Sequence, residues 1–258
     1  MKFCTQLQYR GAAIAGMVTQ FVWGAMEILV FRAFYQADQT AFPMTFQATV
    51  SYIWLQQAFL AFFMAFCMEN EPLQMIIRGD IAYELCRPVH IYDLWFFRSL
   101  GHRLASGLMR CVPIILFSLL LPSPYGLRLP TNWMTSLSFA IGMILGILVT
   151  VTLCMLIYIL AFFTISPLGL RMCYFSIAEL LSGAIVPIPF FPEQLRGIVS
   201  ILPFASMQNV PLRIYSGDLI GRSMVQALVL QLIWFVTLLI VGRCLSFLAI
   251  KKVTVQGG

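Results

Sequence analysis

Six stretches of the chain stay apolar for about the 20 residues that a helix needs to cross the hydrocarbon core of a bilayer. They cover residues 11–34, 46–68, 104–121, 133–164, 172–191 and 225–250. None of them alternates apolar and polar positions in the manner of a membrane barrel strand. The pattern therefore predicts an all-α bundle of six transmembrane helices. The fourth run is too long for one perpendicular span and too short for two, which predicts a single tilted helix projecting beyond the bilayer. Pro187 and Pro189 break the fifth run near its end. At the N-terminus, Phe3 and Leu7 stand one helical turn apart among Lys2, Gln6 and Arg10. That spacing over residues 1–10 suits a short helix in the membrane interface, the alternative being a frayed leader. The first run is too long for a cleavable signal, and no small-x-small site follows it.

Composition narrows the class. Of the 258 residues, 60% are apolar and 10% charged. Soluble proteins average about 45–50% and about 25% respectively. Sixteen basic and ten acidic side chains are too few to cover a soluble protein of this size. This excludes a soluble enzyme, a nucleic-acid-binding domain and a disordered chain. The net charge of +6 does not restore the nucleic-acid reading, because the arginines are spread out and there are only three lysines.

The basic residues give an orientation, since Lys and Arg concentrate in cytoplasmic loops. Lys2, Arg10, Arg78, Arg87, Arg98, Arg103, Arg171, Lys251 and Lys252 fall on the side of the termini. Arg128, Arg196, Arg213 and Arg222 fall on the other. Arg32, Arg110 and Arg243 lie at borders and split two to one in the same direction. Both termini are expected in the cytoplasm. Of the seven cysteines, none lies in an expected outer loop where a disulfide would form, and no pair has zinc-ligand spacing.

The stretch from residue 69 to 103 is unusual. It carries nine of the 26 charges and both histidines, His90 and His102. Pro72 is placed to start a helix. Gly79 breaks the pattern, and Asp80 is placed to cap a second short helix over residues 81–87, which Pro88 stops. Ile81, Ala82 and Leu85 would share its apolar face, leaving Tyr83, Glu84 and Arg87 more outward. Such a helix suits docking on another protein; the plainer alternative is a loop that solvates the bundle end.

Two segments carry a resemblance. RGDIAYELCRPV, residues 78–89, fits G-D-x-A-x-x-L-x-R-P, and the chain ends in KKVTVQGG. With the six runs, these resemble the branch of the ABC-2 transporter permeases that has this loop motif and a terminal V-Q-G-G. The resemblance covers the whole chain, as one permease domain. It implies a prokaryotic cell membrane, a dimer with a second copy or a related permease, and ABC ATPase subunits as partners. Arg78, Gly79, Asp80, Glu84, Arg87 and Pro88 would form the segment that docks on the ATPase. No G-x-x-x-x-G-K-[ST] loop is present, so ATP and Mg would be held by the separate ATPase chain and no cofactor by this one. Residues 182–224 would form an outer region. Its first part, residues 182–204 with Pro187, Pro189, Pro192 and Pro203, resembles the family's short re-entrant helices; an ordinary proline-rich loop is the alternative. Such permeases mostly export peptides, antibiotics, lipids or polymers.

Charges at mid-bilayer must face protein or water, at about 2.5–3.5 kcal/mol each on insertion scales. Glu27 and Glu179 are the two acidic residues within the runs. In the family the chain resembles, spans one and five lie along the dimer interface and central path, so the resemblance makes them candidates for the pathway or the dimer interface. A carboxyl hydrogen-bonded inside the bundle is the competing reading. Arg32, five residues after Glu27, is poorly spaced to pair with it and is expected to reach the interface. Gln47, Gln56 and Gln57 suit helix–helix hydrogen bonds. Trp133 and Tyr125 sit where an interfacial aromatic belt belongs. Gly142 and Gly146 form a G-x-x-x-G patch that permits close packing. A membrane-embedded enzyme would need a clustered catalytic set, which the runs lack. An ion-coupled transporter or channel acting without an ATPase remains the alternative; it would call for more intramembrane charges and an inverted repeat.

Overall fold

A backbone in lipid must satisfy its own hydrogen bonds. The described chain, residues 10–130 and 132–252 of a computed structural model, does so with helices and contains no strand. In chain order these are α1 (Arg10–Ala37), α2 (Phe46–Phe63), α3 (Glu71–Arg78), α4 (Ile81–Leu85), α5 (Ile91–Leu120), α6 (Trp133–Leu160), α7 (Pro167–Leu181), α8 (Glu193–Ile201), α9 (Asn209–Tyr215) and α10 (Gly221–Lys252). Short 3-10 turns stand at Ala65–Cys67, Ala161–Phe163 and Ile188–Phe190. The interfacial helix expected over residues 1–10 falls outside the described residues except for Arg10, as does the chain from residue 253 onward.

Among the described residues, five helical stretches are long and apolar enough to cross a membrane: Gly16–Ala37, Phe46–Arg78, Ile91–Leu120, Trp133–Phe163 and Gly221–Lys251. The second joins α2 to α3 through the turn at Ala65–Cys67. The fifth apolar run differs from its expectation. Its helix, α7, has 15 residues, a length of about 22 Å at 1.5 Å per residue. It ends at Ser182 and Gly183, ahead of the prolines, and Gly183 takes a positive φ of 77°. The third run also differs, because α5 begins at Ile91 rather than Leu104. The first 13 residues of α5 are charged and aromatic, so they do not read as a span. α6 is one helix of 28 residues, about 42 Å long.

Burial separates the centre from the rim. In α2 and α6, 72% of the apolar window is buried, against 22% in α1, 28% in α5 and 11% in α10. α1 and α5 pack on α2, and α10 packs on α6. At one end of the bundle, α3 and α4 sit beside Glu69; this is the loop end. At the far end, the link between α5 and α6 folds back on α2. There Gln47 Nε2 donates to Gly126 O at 2.8 Å, Trp54 Nε1 to Tyr125 O at 2.8 Å, and Arg128 N to Ser51 Oγ at 3.4 Å.

After α7 the chain runs outward and then back. Phe190 packs against Phe31 and Phe42 near the far end, with ring centroids 4.7 and 4.8 Å away. Met207 lies against the middle of α6, where a Cβ added at Gly146 would stand 2.1 Å from Met207 O. α9 then leads outward again, and Tyr215 packs on Phe139 at 5.0 Å. Gln231 of α10 fastens this excursion, donating to Ser206 O at 2.9 Å and Gly142 O at 3.2 Å.

Candidate functional site

Two places gather the polar groups that a bundle in lipid would otherwise avoid. The first is a cavity of about 1000 Å³ between α1, α2 and the end of α7. Glu27 and Glu179, nearly the whole chain apart in sequence, both line it. α1 contributes Gln20 and Glu27, seven residues apart and so on one helix face. α2 contributes Gln56 and Gln57. Gln57 Nε2 donates to Glu27 Oε2 at 3.5 Å, and Gln56 Nε2 to Ala184 O at 2.5 Å. The rest of the wall is apolar, with Phe31, Phe42 and Phe190 on one side and the exposed Trp23 and Phe34 at the lip.

Arg32 takes no part in the cavity. Its guanidinium lies over the Tyr125 ring, 5.5 Å from the centroid, which accounts for the poor spacing to Glu27. Of the three glutamines expected to join helices, Gln57 and Gln56 both reach Glu27 of α1, Gln56 also donating to a loop carbonyl, while Gln47 bonds a loop carbonyl instead. Gln20 is a lining residue that sequence reasoning missed. The signal for it was available, since it stands on the Glu27 face.

The second place is the loop end. α3 starts with Pro72 in its first turn and stops at Gly79, which takes a φ of 79° that favours glycine. α4 spans Ile81–Leu85 and so stops two residues short of its expected end at Arg87. Asp80 occupies the position before α4, but its side chain makes no capping bond. A further expectation reverses: Glu84 points inward. It is buried, accepts from Trp95 Nε1, and lies 3.6 Å from Arg98 Nη1. Burying the Trp95 N–H and part of Arg98 requires an acceptor there, and Glu84 shares the inward face of α4 with Ile81. Arg98 also pairs with Glu69 at 3.6 Å and with Glu71. Ile77, Arg78, Asp80, Tyr83, Arg87 and Val89 face outward. Between this surface and α5 runs a cleft of about 750 Å³ lined by Arg87, Val89, Asp93 and Phe97 among others.

This loop is tied to most of the bundle. Tyr158 of α6 donates to Glu69 O at 2.8 Å. Arg171 of α7 donates to Asn70 Oδ1 and to Phe66 O at 3.2 Å. Arg243 of α10 pairs with Asp93 at the start of α5. Deeper in, Arg103 of α5 is fully buried, although the charge pattern assigned it to the loop. Its Nη1 donates to Phe62 O at 2.9 Å and Met64 O at 3.1 Å, and its Nη2 to Cys154 Sγ at 3.1 Å. It thus satisfies Phe62 O, which the end of α2 leaves open, and adds a second donor to Met64 O, which also accepts from Cys67 N at 3.2 Å. A push on α3 and α4 would reach α5, α6 and α7 through hydrogen bonds rather than through a slack linker. Among the described residues, no group of three His, Cys, Asp or Glu side chains is placed to hold a metal.

A family model described as ABC-2 family transporter protein matches residues 21–257. No curated protein and no solved structure matches the chain.

Proposed function

The chain belongs to the ABC-2 family of transporter proteins, and from that membership we propose that it is the permease subunit of an ABC exporter driven by ATP hydrolysis on a separate chain. The observation that carries the reading is the outward face of α3 and α4 on a segment braced from behind. A moving ATPase must push on something rigid that is joined to the spans. Arg78, Asp80, Tyr83 and Arg87 would touch the ATPase and set its register. Gly79 and Pro88 would fix the limits of the two short helices. Glu84 would pass the push to Trp95 and Arg98. The ATPase would hold ATP and Mg. A second copy or a related permease would complete the dimer, and the moving substrate would be hydrophobic or amphipathic, such as a peptide, antibiotic or lipid.

The test is co-purification. A tagged chain is expected to bring an ABC ATPase with it from membranes, and recovery of none would end the permease reading. Charge reversal at both Arg78 and Arg87 is expected to lower that recovery about tenfold, as loss of paired interface charges does. The variant's own yield and melting should be unchanged, because both side chains are exposed. Undiminished recovery would remove these residues from the interface.

The charge count supports a cytoplasmic position for α3, α4 and both termini, and the family resemblance supports a prokaryotic cell membrane. With other cysteines replaced, a cysteine at Ser216 is expected to react with an impermeant maleimide added to intact cells. Cys86, exposed at the loop end, is expected to react only after the membrane is opened. The opposite pattern would invert the orientation.

A further inference from the structure

We propose that the cavity between α1, α2 and α7 binds an amphipathic amine, with its ammonium directed at the Glu27 and Glu179 carboxyls and its apolar body against the aromatic wall. This rests on the permease reading for the cavity's place in transport and deepens it by naming a substrate class. The binding itself is a property of this chain alone.

The cavity has a chemical polarity. Buried oxygens of Gln20, Glu27 and Gln56 (Oε1 in each) have no hydrogen-bond partner, and all three residues line it. Gln20 and Gln56 are 7% and 2% exposed, so these oxygens are held away from bulk solvent. The Gln56 amide is oriented by its own donation to Ala184 O at 2.5 Å, which leaves Oε1 as an acceptor. Among the described lining residues the buried side-chain polar atoms without a partner are thus all acceptors, which favours an occupant rich in donors and free of acceptors. An ammonium has three N–H donors and no acceptor.

Charge points the same way. The described lining holds the carboxyl groups of Glu27, Asp38 and Glu179 and no Lys, Arg or His. Asp38 is already engaged by Thr40 Oγ1 at 2.7 Å and by the amides of Thr40 and Ala41. Glu27 and Glu179 are left as the carboxyls deeper in the wall, with no basic side chain of the lining to balance them. An anionic ligand would meet repulsion and unpaired acceptors together. The volume, about 1000 Å³, suits a drug-sized molecule. Phe31, Phe42 and Phe190 offer ring surface to an apolar body, and aromatic faces also attract cations. Trp23, Met26 and Val30 beside the lip are exposed apolar residues of α1, so an amphiphile dissolved in the bilayer has a lateral way in.

The test uses the full chain in nanodiscs of zwitterionic lipid, with empty discs as the baseline. The probe is dansylcadaverine, a fluorescent primary amine, compared with its neutral N-acetyl derivative. Saturable binding of the amine is expected, with the acetylated compound about tenfold weaker or more. Glu27→Gln and Glu179→Gln are each expected to weaken the amine by about tenfold and to leave the acetylated compound unchanged. Glu179 is only half-buried, so its variant reports even if Glu27→Gln misfolds. Equal binding of the two probes, or amine binding indifferent to both substitutions, would overturn the proposal. So would a Trp23→Cys chain that crosslinks fully to a second copy while binding no amine, since the cavity would then belong to the dimer contact. No ATPase is present in this assay. A negative result therefore leaves the co-purification test of the permease reading standing.

Discussion

Arg103→Met is expected to destabilise the chain by about 3 kcal/mol, seen as a marked fall in melting temperature in detergent and in the yield of monodisperse protein. Two effects oppose one another. Removing the guanidinium relieves the desolvation of a fully buried charge, which favours the variant. It also strips Phe62 O of the donor that reaches it at 2.9 Å and Met64 O of the second of its two donors, at 3.1 Å. Each buried carbonyl left open costs about 1–3 kcal/mol. Phe62 O sits where α2 gives way to the turn at Ala65–Cys67, so no further helical N–H replaces its lost donor, whereas Met64 O keeps the Cys67 N–H at 3.2 Å. The open Phe62 carbonyl, together with the lost bonds to Met64 O and Cys154 Sγ, should outweigh the relief. Arg103→Lys should fall between, because a single ammonium is not shaped to serve both carbonyls and Cys154 Sγ together. A methionine variant as stable as the parent would show that desolvation dominates.

Gly146→Ala is expected to destabilise by a similar amount, about 3 kcal/mol, while Gly142→Ala stays within about 0.5 kcal/mol of the parent. The two glycines lie one helical turn apart on α6 and look equivalent in sequence. Their surroundings differ. A Cβ on Gly146 would stand 2.1 Å from Met207 O and 3.1 Å from a Phe63 ring carbon. The nearer obstacle is backbone, which cannot rotate away, so the segment around Met207 must shift. That shift would pull at the bond from Gln231 to Ser206 O. A Cβ on Gly142 would meet Leu228 and Pro211 at 3.4 Å, an ordinary contact. Alanine also raises helix propensity there. Equal melting of the two variants would refute the close approach at Gly146.

These two positions mark what the sequence could and could not convey. Apolar runs answer to lipid alone, so the helical class, the long α6 and the charged loop were all legible. Gly79 and Pro72 were legible for the same reason, since their roles are local. The direction of Glu84 was not. α4 has five residues, too few for a helical face to declare itself, and the groups that draw Glu84 inward belong to α5. Arg103 was misplaced because an arginine after a charged stretch ordinarily marks the membrane surface. Its acceptors arise from a break in α2 at Met64 that no proline or glycine announces. The end of α7 coincides with Gly183, a usual signal of a helix stop, and the later prolines shape the segment beyond it. Glu27 and Glu179 were identifiable singly as costly charges in lipid; that they share one cavity depends on how α7 folds against α1. The outward residues Arg78, Asp80 and Arg87 follow from the motif, and their bracing does not.

The position of α2 bears on how the chain is made. It is buried nearly all round and carries Gln47, Ser51, Gln56 and Gln57. Of the described side-chain hydrogen bonds that tie α2 to distant parts of the chain, only those to Glu27 reach a residue translated before it. Tyr125, Gly126 and Arg128, which bond Trp54, Gln47 and Ser51, emerge some 70 to 80 residues later. Ala184, which accepts from Gln56, follows 128 residues after it. An apolar helix that carries these glutamines into lipid early must therefore wait, its amides held by water or by the insertion machinery, until the second half of the chain arrives. Biosynthesis rather than equilibrium stability is where this fold is most exposed. Ribosome-arrested chains that stop before residue 184 should be the ones most readily taken by membrane quality-control proteases.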